Sequence, residues 1–128
     1  SNLDPRHLRT RVRRELLPLM ADIARRDLAP LLARQADLAR DESDLLDALA
    51  LTLDPTDAKA LAVAPPPLAR RAIRRWLTTT HPPDAATVER VLGVARGEAV
   101  ATDVGSGRRV VRSRQHLSLT PTITRPNE

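Results

Sequence analysis

Residues 68–77 read Leu-Ala-Arg-Arg-Ala-Ile-Arg-Arg-Trp-Leu, and this stretch decides the fold class. At the rotation of about 100° per residue of an α-helix, its apolar residues fall on one half of the helical wheel. The four arginines Arg70, Arg71, Arg74 and Arg75 fill the other half. We therefore predict an amphipathic helix whose apolar side, Trp76 included, packs into a core.

Helices are also predicted before this stretch. Asp4 and Pro5 are typical of a helix start, and the helix should run toward Leu17. Pro18 should kink it or begin a new turn. Between residues 27 and 51 leucines recur at three- and four-residue spacing, which makes this the clearest helix in the sequence. A short connecting stretch should follow it and lead into the prolines at 65–67.

The chain after residue 77 changes from helical to extended periodicity. Asp84 should cap one more helix and Gly97 should end it. Residues 100–102, 108–112 and 116–119 are short extended segments separated by turn residues, which predicts a small hairpin or three-strand meander. Residues 120–128 have no period and are expected to form a tail. The predicted fold class is mainly α, with a small terminal β-hairpin or meander.

The composition excludes several functional classes. The chain has one Trp and neither Phe nor Tyr, so it lacks the aromatic platforms on which single-strand binders stack bases. It has no Cys, which excludes disulfides, thiolate zinc sites and a Cys nucleophile. The four glycines lie outside any strand-to-helix nucleotide fingerprint. No apolar run approaches the roughly 20 residues of a membrane span, and no leader is evident, so we expect a cytoplasmic protein.

The basic charge is unevenly distributed. Residues 1–14 hold five arginines against one acid, residues 15–64 hold five cations against ten acids, and residues 65–128 hold eleven arginines against five acids. The middle segment is typical of a solvated helical face, and the two flanks indicate anion-binding surface. All cations except Lys59 are arginines. Arginine is the better bidentate phosphate ligand, but GC-rich genomes also favour it, so composition alone does not separate the two causes.

Four stretches occur in an informative order: Ser1-Asn2-Leu3-Asp4, Arg9-Thr10-Arg11-Val12-Arg13, Leu16-Leu17-Pro18-Leu19 and residues 70–77. Their order and spacing resemble the bacterial tRNA(Ile)-lysidine synthetases. In that family an SNxD stretch and an RNRIR-like run close the ATP-binding domain, and an LLPLL stretch then leads into an all-helical substrate-binding domain. Thr10 stands where the family has Asn, so the role of that amide does not transfer.

The resemblance implies a ligase that uses ATP, with Mg, to adenylate C2 of the wobble cytidine in the tRNA(Ile) bearing a CAU anticodon. Free lysine is then joined there to give lysidine. Such enzymes carry an SGGxDS loop, which this sequence lacks. We therefore expect a carboxy-terminal piece that binds tRNA, holds no cofactor or metal and is inactive by itself.

The resemblance also suggests a domain organisation. Residues 1–25 would be the exit segment or linker helix from the ATP-binding domain, and residues 26–97 the helical tRNA-binding domain. Residues 98–120 would be a β-hairpin appendix and residues 121–128 a tail. A homodimer is possible on this reading, and no membrane contact is expected.

Two arginine clusters are the candidate nucleic-acid-binding sites. The first comprises Arg9, Arg11, Arg13 and Arg14, and the second Arg70, Arg71, Arg74 and Arg75. Either could neutralise tRNA phosphates with little reading of base sequence. The competing interpretation is a solvated helix face, with the second cluster paired to the acidic middle. At the level of function, the alternative is a helical protein-interaction or regulatory domain, and an independent enzyme is a distant third.

Other polar groups are predicted to have no chemical role. His7, His81 and His116 are too scattered for a metal site. The acids at 41, 42, 44 and 47 lie on the polar side of a leucine-striped helix, where solubility explains them. Ser43 has no companion that would make it a nucleophile. Gly105-Ser106-Gly107, followed by Arg108 and Arg109, resembles a phosphate-contacting hairpin only loosely, and a plain turn is the simpler interpretation.

Overall fold

The computed structural model describes residues 4–123. The chain divides into two compact units, Ser1–Ser43 and Asp44–Glu128.

The first unit begins with the predicted helix. Helix α1 spans Pro5–Arg11, and the Asp4 carboxylate caps it by accepting a hydrogen bond from the Arg6 N–H at 2.9 Å. A π-helical turn, Val12–Leu16, follows, and helix α2 then spans Leu17–Ala24. Pro18 was expected to kink the helix or to begin a new turn. It lies in the first turn of α2, directly after the π-helical turn, so the hydrogen-bonding pattern changes there while the backbone stays helical.

Helix α3 spans Ala29–Ala50, as the leucine spacing predicts, and crosses the boundary between the two units. Asp27 accepts a hydrogen bond from the Ala29 N–H at 3.0 Å and so caps its first turn. Among the residues of α3 only Ala50 is buried. The leucine stripe therefore predicts the helix correctly, yet most of it is exposed in the described part of the chain, at Leu31, Leu32, Leu38, Leu45 and Leu49.

The second unit adds three shorter helices. Helix α4 spans Ala58–Val63, α5 spans Pro66–Leu77 and α6 spans Ala85–Arg96. Helices α5 and α6 are confirmed predictions. The sequence reasoning missed α4, because six residues are too few to show a helical period. Its start carries a local signal all the same, since Asp57 accepts a hydrogen bond from the Ala60 N–H at 3.0 Å.

A three-stranded antiparallel sheet of order β1-β2-β3 follows the helices, which confirms the predicted meander. Strand β1 spans Ala101–Gly105, β2 spans Arg108–Ser113 and β3 spans His116–Pro121. Ser106 and Gly107 form the two-residue turn between β1 and β2, both with positive φ, as hairpin turns that match strand twist require. The predicted mainly α fold with a terminal β meander is thus confirmed.

The end of the sheet corrects one prediction. Residues 120–128 were expected to be an irregular tail, but Thr120 and Pro121 belong to β3. The Thr122 N–H also donates to the Gly107 carbonyl oxygen at 2.8 Å. Backbone pairing along β2 extends the strand beyond its apolar residues, a tertiary effect that periodicity does not report. The remainder of the predicted tail, 124–128, lies outside the described residues.

The core of the second unit is built around α6. Its buried face meets α4 and α5, and buried residues of the sheet complete the same cluster. Trp76 is partly buried against this cluster, as predicted. The core consists of small and branched aliphatic residues: Ala58, Leu61, Ala69, Ala72, Ile73, Leu77, Val88, Val91, Leu92, Val94, Ala95, Val110 and Leu117.

Both ends of α6 are fixed by the residues that the sequence indicates. At its start, Asp84 accepts a hydrogen bond from the Thr87 N–H at 2.8 Å, and hydrogen bonding to Thr87 holds the pKa of this carboxyl below its ordinary value. At its end, Gly97 has φ of 83°. This left-handed conformation favours glycine, whereas the nearest atom to an added Cβ, Nη1 of Arg112 at 2.7 Å, is the end of a flexible side chain that can move.

We predict that Leu92→Ala lowers the free energy of unfolding by about 2–5 kcal/mol, because it opens a cavity in the fully buried centre of the core. The matched control is Leu45→Ala, since Leu45 is 61% exposed and its truncation should change the value by less than about 0.5 kcal/mol. Urea unfolding followed by circular dichroism measures both. Equal effects of the two variants would contradict this core assignment.

We predict that the Asp84 cap gives stability a pH dependence. Because folding lowers its pKa, the stabilisation is fully present above the unfolded pKa of about 3.9 and is lost as the pH falls through the folded value. Asp84→Ala should therefore lower the melting temperature at pH 7 more than at pH 3. Asp84→Asn keeps an acceptor for the Thr87 N–H but does not titrate. Its hydrogen bond should therefore contribute equally to the melting temperature at pH 7 and pH 3, apart from the pH response of other groups.

Candidate nucleic-acid interface

Three of the four α5 arginines contact acceptors within the protein. Arg70 Nε lies 2.5 Å from Oε1 of Glu89 on α6, and Arg71 Nε lies 3.3 Å from Oδ1 of Asp47 on α3. Arg75 donates to the carbonyl oxygen of Ala50 at 3.1 Å. The pairing of this cluster with the acidic middle, which the sequence left open, is thus present at Asp47.

The Arg75 contact closes the end of a helix. Its Nη1 and Nη2 groups reach the carbonyl oxygens of Ala50 and Leu53, at 3.1 and 3.4 Å. Carbonyl groups at the end of a helix have no partner within it and carry partial negative charge. Arg75 therefore supports the connection that leaves α3.

Arg74 differs from its neighbours, because it is exposed and its guanidinium group makes no hydrogen bond or ion pair within residues 4–123. Its backbone carbonyl oxygen accepts a hydrogen bond from the Thr78 hydroxyl at 2.6 Å, which helps to end α5. Arg74 is thus the member of this cluster whose charge is open to a ligand.

The first cluster lies on α1 and the π-helical turn, in the first unit. All four of its side chains are exposed. Arg11 Nε lies 3.0 Å from Oε2 of Glu15, one helical turn along the chain. The guanidinium groups of the other three members have no protein partner in the described part of the chain: Arg9, Arg13 and Arg14.

The sheet contributes arginines that sequence reasoning did not select as site residues. Arg108 and Arg112 flank the buried Val110 on β2, and both make contacts within the protein. Arg109 and Arg114 are exposed, and their guanidinium groups have no partner among the described residues. The sequence of β2 could have indicated this difference. Successive side chains of a strand point to opposite faces of the sheet, so Arg108 and Arg112 lie on one face and Arg109 on the other.

A groove of about 450 Å³ opens beside the β1–β2 turn. It is formed by the α5–α6 connection, the turn and the start of β2, and its polar lining residues include Thr80, His81, Ser106 and Arg108. Sequence reasoning interpreted the turn as plain and His81 as a surface residue, because the spacing of these residues in the chain does not reveal that they share a groove.

Two further properties of the described residues bear on function. No helix within residues 4–123 is long and apolar enough to cross a membrane. The same range contains no group of three or more His, Cys, Asp or Glu side chains placed to hold a metal ion. His7, His81 and His116 accordingly do not come together with carboxylates in a metal-binding arrangement there.

Part of the second unit is similar to a known protein family. Residues 57–118 match the family model described as the TilS substrate binding domain. Over this segment the chain is similar to that family. The match begins at the residue that caps α4 and ends within β3, so the matched segment comprises helices α4, α5 and α6 and most of the sheet.

Curated relatives extend the similarity beyond the TilS domain. The chain is 34% identical to the tRNA(Ile)-lysidine synthase of Mycobacterium bovis, over 89% of the chain and 41% of that protein. It is 36% identical to that of Nocardia farcinica, over 88% of the chain and 40% of the relative. For that of Mycobacterium leprae the identity is 39%, over 59% and 26%. The resemblance that the sequence indicated is confirmed, and the chain spans less than half the length of these relatives.

We predict that Arg75→Gln lowers the free energy of unfolding by about 1 kcal/mol, because it removes the hydrogen bonds to the Ala50 and Leu53 carbonyl groups. Arg74→Gln removes the same charge from the adjacent position and should change it by less than about 0.5 kcal/mol. Thermal unfolding at moderate salt compares the two. A larger loss for Arg74→Gln would contradict the division of the cluster made here.

Proposed function

We propose that this chain is the tRNA-binding part of an ATP-dependent ligase, a tRNA(Ile)-lysidine synthase. The ligase would join lysine to C2 of the wobble cytidine in the tRNA(Ile) with a CAU anticodon. The observation that carries the proposal is the match of residues 57–118 to the TilS substrate binding domain. The names of the curated relatives support it. This role would place the protein in the cytoplasm.

ATP and Mg would belong to the part of the ligase that carries the SGGxDS loop. The residues of this chain do not fit either group, because none of its four glycines belongs to a strand-to-helix nucleotide-binding loop and the described range offers no metal-ligand cluster. Free lysine would bind in the same part of the ligase as ATP and Mg. We therefore assign to this chain no step of the chemistry, and expect no ATP–pyrophosphate exchange from it alone.

The two arginine clusters remain our proposed tRNA contacts: Arg9, Arg11, Arg13, Arg14, Arg70, Arg71, Arg74 and Arg75. The contacts that these arginines make within the protein indicate which of them are most available to tRNA. Arginines without protein partners are the ones that can neutralise phosphates without first breaking an ion pair, which favours Arg9, Arg13, Arg14 and Arg74. An ion pair as exposed as Arg70–Glu89 stabilises the fold by only about 1 kcal/mol or less, so Arg70 could also exchange its partner for a phosphate.

The proposed domain organisation keeps residues 1–25 as a linker and residues 26–97 as the helical tRNA-binding domain. The β appendix, expected at residues 98–120, is extended to Pro121 because this residue belongs to β3, and the tail follows it. Because the matched TilS segment includes most of the sheet, we propose that the sheet shares in tRNA binding. A homodimer remains possible on this proposal.

We predict that the chain binds a tRNA(Ile) transcript with a CAU anticodon in a strongly salt-dependent way. If four arginines contact phosphates, affinity should fall by about 100-fold between 50 and 200 mM salt. Arg74→Glu should weaken binding and reduce the salt slope, whereas Leu45→Ala should do neither. Fluorescence anisotropy with labelled tRNA measures these quantities.

One observation favours the second candidate, a protein-interaction domain. The apolar side chains of the first three helices include exposed residues such as Leu19, Ile23 and Leu38, and large exposed apolar patches are typical of interfaces. If wild type bound tRNA no better than a neutral polymer at low salt, or Arg74→Glu left the affinity unchanged, the proposed tRNA contacts would be wrong and this alternative would be favoured.

A further inference from the structure

The groove beside the β1–β2 turn is lined by donors of hydrogen bonds and by no carboxylate. Its ionisable lining residues are Arg108 and His81. Three residues that carry hydroxyl groups also line it, and none of these hydroxyls makes a hydrogen bond within residues 4–123: those of Thr79, Thr80 and Ser106. Guanidinium and hydroxyl groups together suit an anion with several acceptor oxygens.

The acids nearest in sequence are occupied elsewhere. Asp84 caps α6 through the Thr87 N–H. Asp103 is paired with Arg109 in the β1–β2 register and accepts a hydrogen bond from the Thr122 hydroxyl at 3.4 Å. Neither lines the groove, so no carboxylate there opposes an anion.

Arg108 is held in place before any ligand arrives. It stands at the start of β2, opposite Gly105 in the register, and its side chain is partly buried. One nitrogen, Nη2, donates to the carbonyl oxygen of Leu77 at 3.3 Å. The guanidinium has no other acceptor within the described residues, so its remaining N–H groups are available for bidentate contact with a phosphate.

The walls of the groove are also restrained. Pro82 and Pro83 have fixed φ angles, and the Ser106-Gly107 turn is closed by strand pairing on both sides. Leu77 belongs to the core and Val104 packs against it, so the groove rests on apolar residues. A site that is already ordered loses little conformational freedom when it binds.

We propose that this groove is a phosphate subsite for RNA. Arg108 binds the non-bridging oxygens of a backbone phosphodiester, and the Thr80 and Ser106 hydroxyls donate to the same group. The volume of about 450 Å³ exceeds that of one phosphate and accommodates the attached ribose. The inference rests on the proposed tRNA-binding function and adds to it a defined place on the sheet side of the domain.

The test compares two adjacent arginines that carry equal charge. Arg108→Gln should raise the tRNA dissociation constant about tenfold and lower the salt slope by about 0.7–0.9, the value for one phosphate. The matched control is Arg109→Gln, because Arg109 is exposed and lies outside the groove lining. It should raise the dissociation constant no more than about twofold.

Two further variants keep the test independent of folding, because Arg108→Gln also removes the hydrogen bond to Leu77. Ser106→Gly and Thr80→Val each remove one hydroxyl group. Glycine suits the positive φ of position 106, and valine has nearly the shape of the Thr80 side chain. Each should raise the dissociation constant about two- to threefold with an unchanged melting temperature.

The outcomes separate this inference from the function on which it rests. If wild type binds tRNA with a salt slope but the three groove variants bind as tightly as Arg109→Gln, the groove is not an RNA subsite, although the proposed function stands. If wild type itself fails to bind tRNA, the proposed function fails and the subsite with it.

The source of the phosphate is distinguished by NMR. Amide signals of Thr80, Ser106 and Gly107 should shift on adding tRNA, and inorganic phosphate at the same concentration should leave them unchanged. Saturation by inorganic phosphate at equal concentration would overturn the assignment to RNA and indicate a site for the free ion.

Discussion

The second unit depends on the burial of α6 between two helices and a sheet. Val91, Leu92 and Val94 are fully buried and meet α4, α5 and the strands from one central position. With a single Trp and no Phe or Tyr in the chain, this core obtains its apolar area from aliphatic side chains. Close approach of the elements is therefore required, and the buried alanines of α5, Ala69 and Ala72, permit it.

This close packing also determines which arginines form contacts within the protein. Where two elements pack closely, backbone carbonyl groups and acidic side chains lie at the edge of the contact. Arginine side chains reach these groups while their charged ends stay close to solvent. Arg75 at the end of α3 and Arg90 between α6 and β1 are examples. Some arginines of this basic domain therefore bond to groups of the domain itself, and the others are available to a ligand.

Local sequence signals predicted most of the fold. Asp84 and Gly97 define α6, the alternation around Val110 defines β2, and leucine spacing defines α3, because each acts through neighbours within a turn or a strand. Helix α4 was missed because it is short. The final residues of β3 were missed because their structure depends on pairing with β2 rather than on their own pattern. The exposed stripe of α3 shows that helical periodicity predicts conformation, while burial requires a partner.

The sequence by itself determined the helical fold class, the terminal meander, the family resemblance and the positions of the two arginine clusters, since these follow from periodicity, caps and motif order. Tertiary structure alone decided which arginines are engaged within the protein and which are open. Arg74 and Arg75 are adjacent and chemically identical, yet only Arg75 reaches the Ala50 carbonyl oxygen. The groove at Arg108 likewise joins residues from α5, a loop and two strands, a proximity that exists only once the chain is folded.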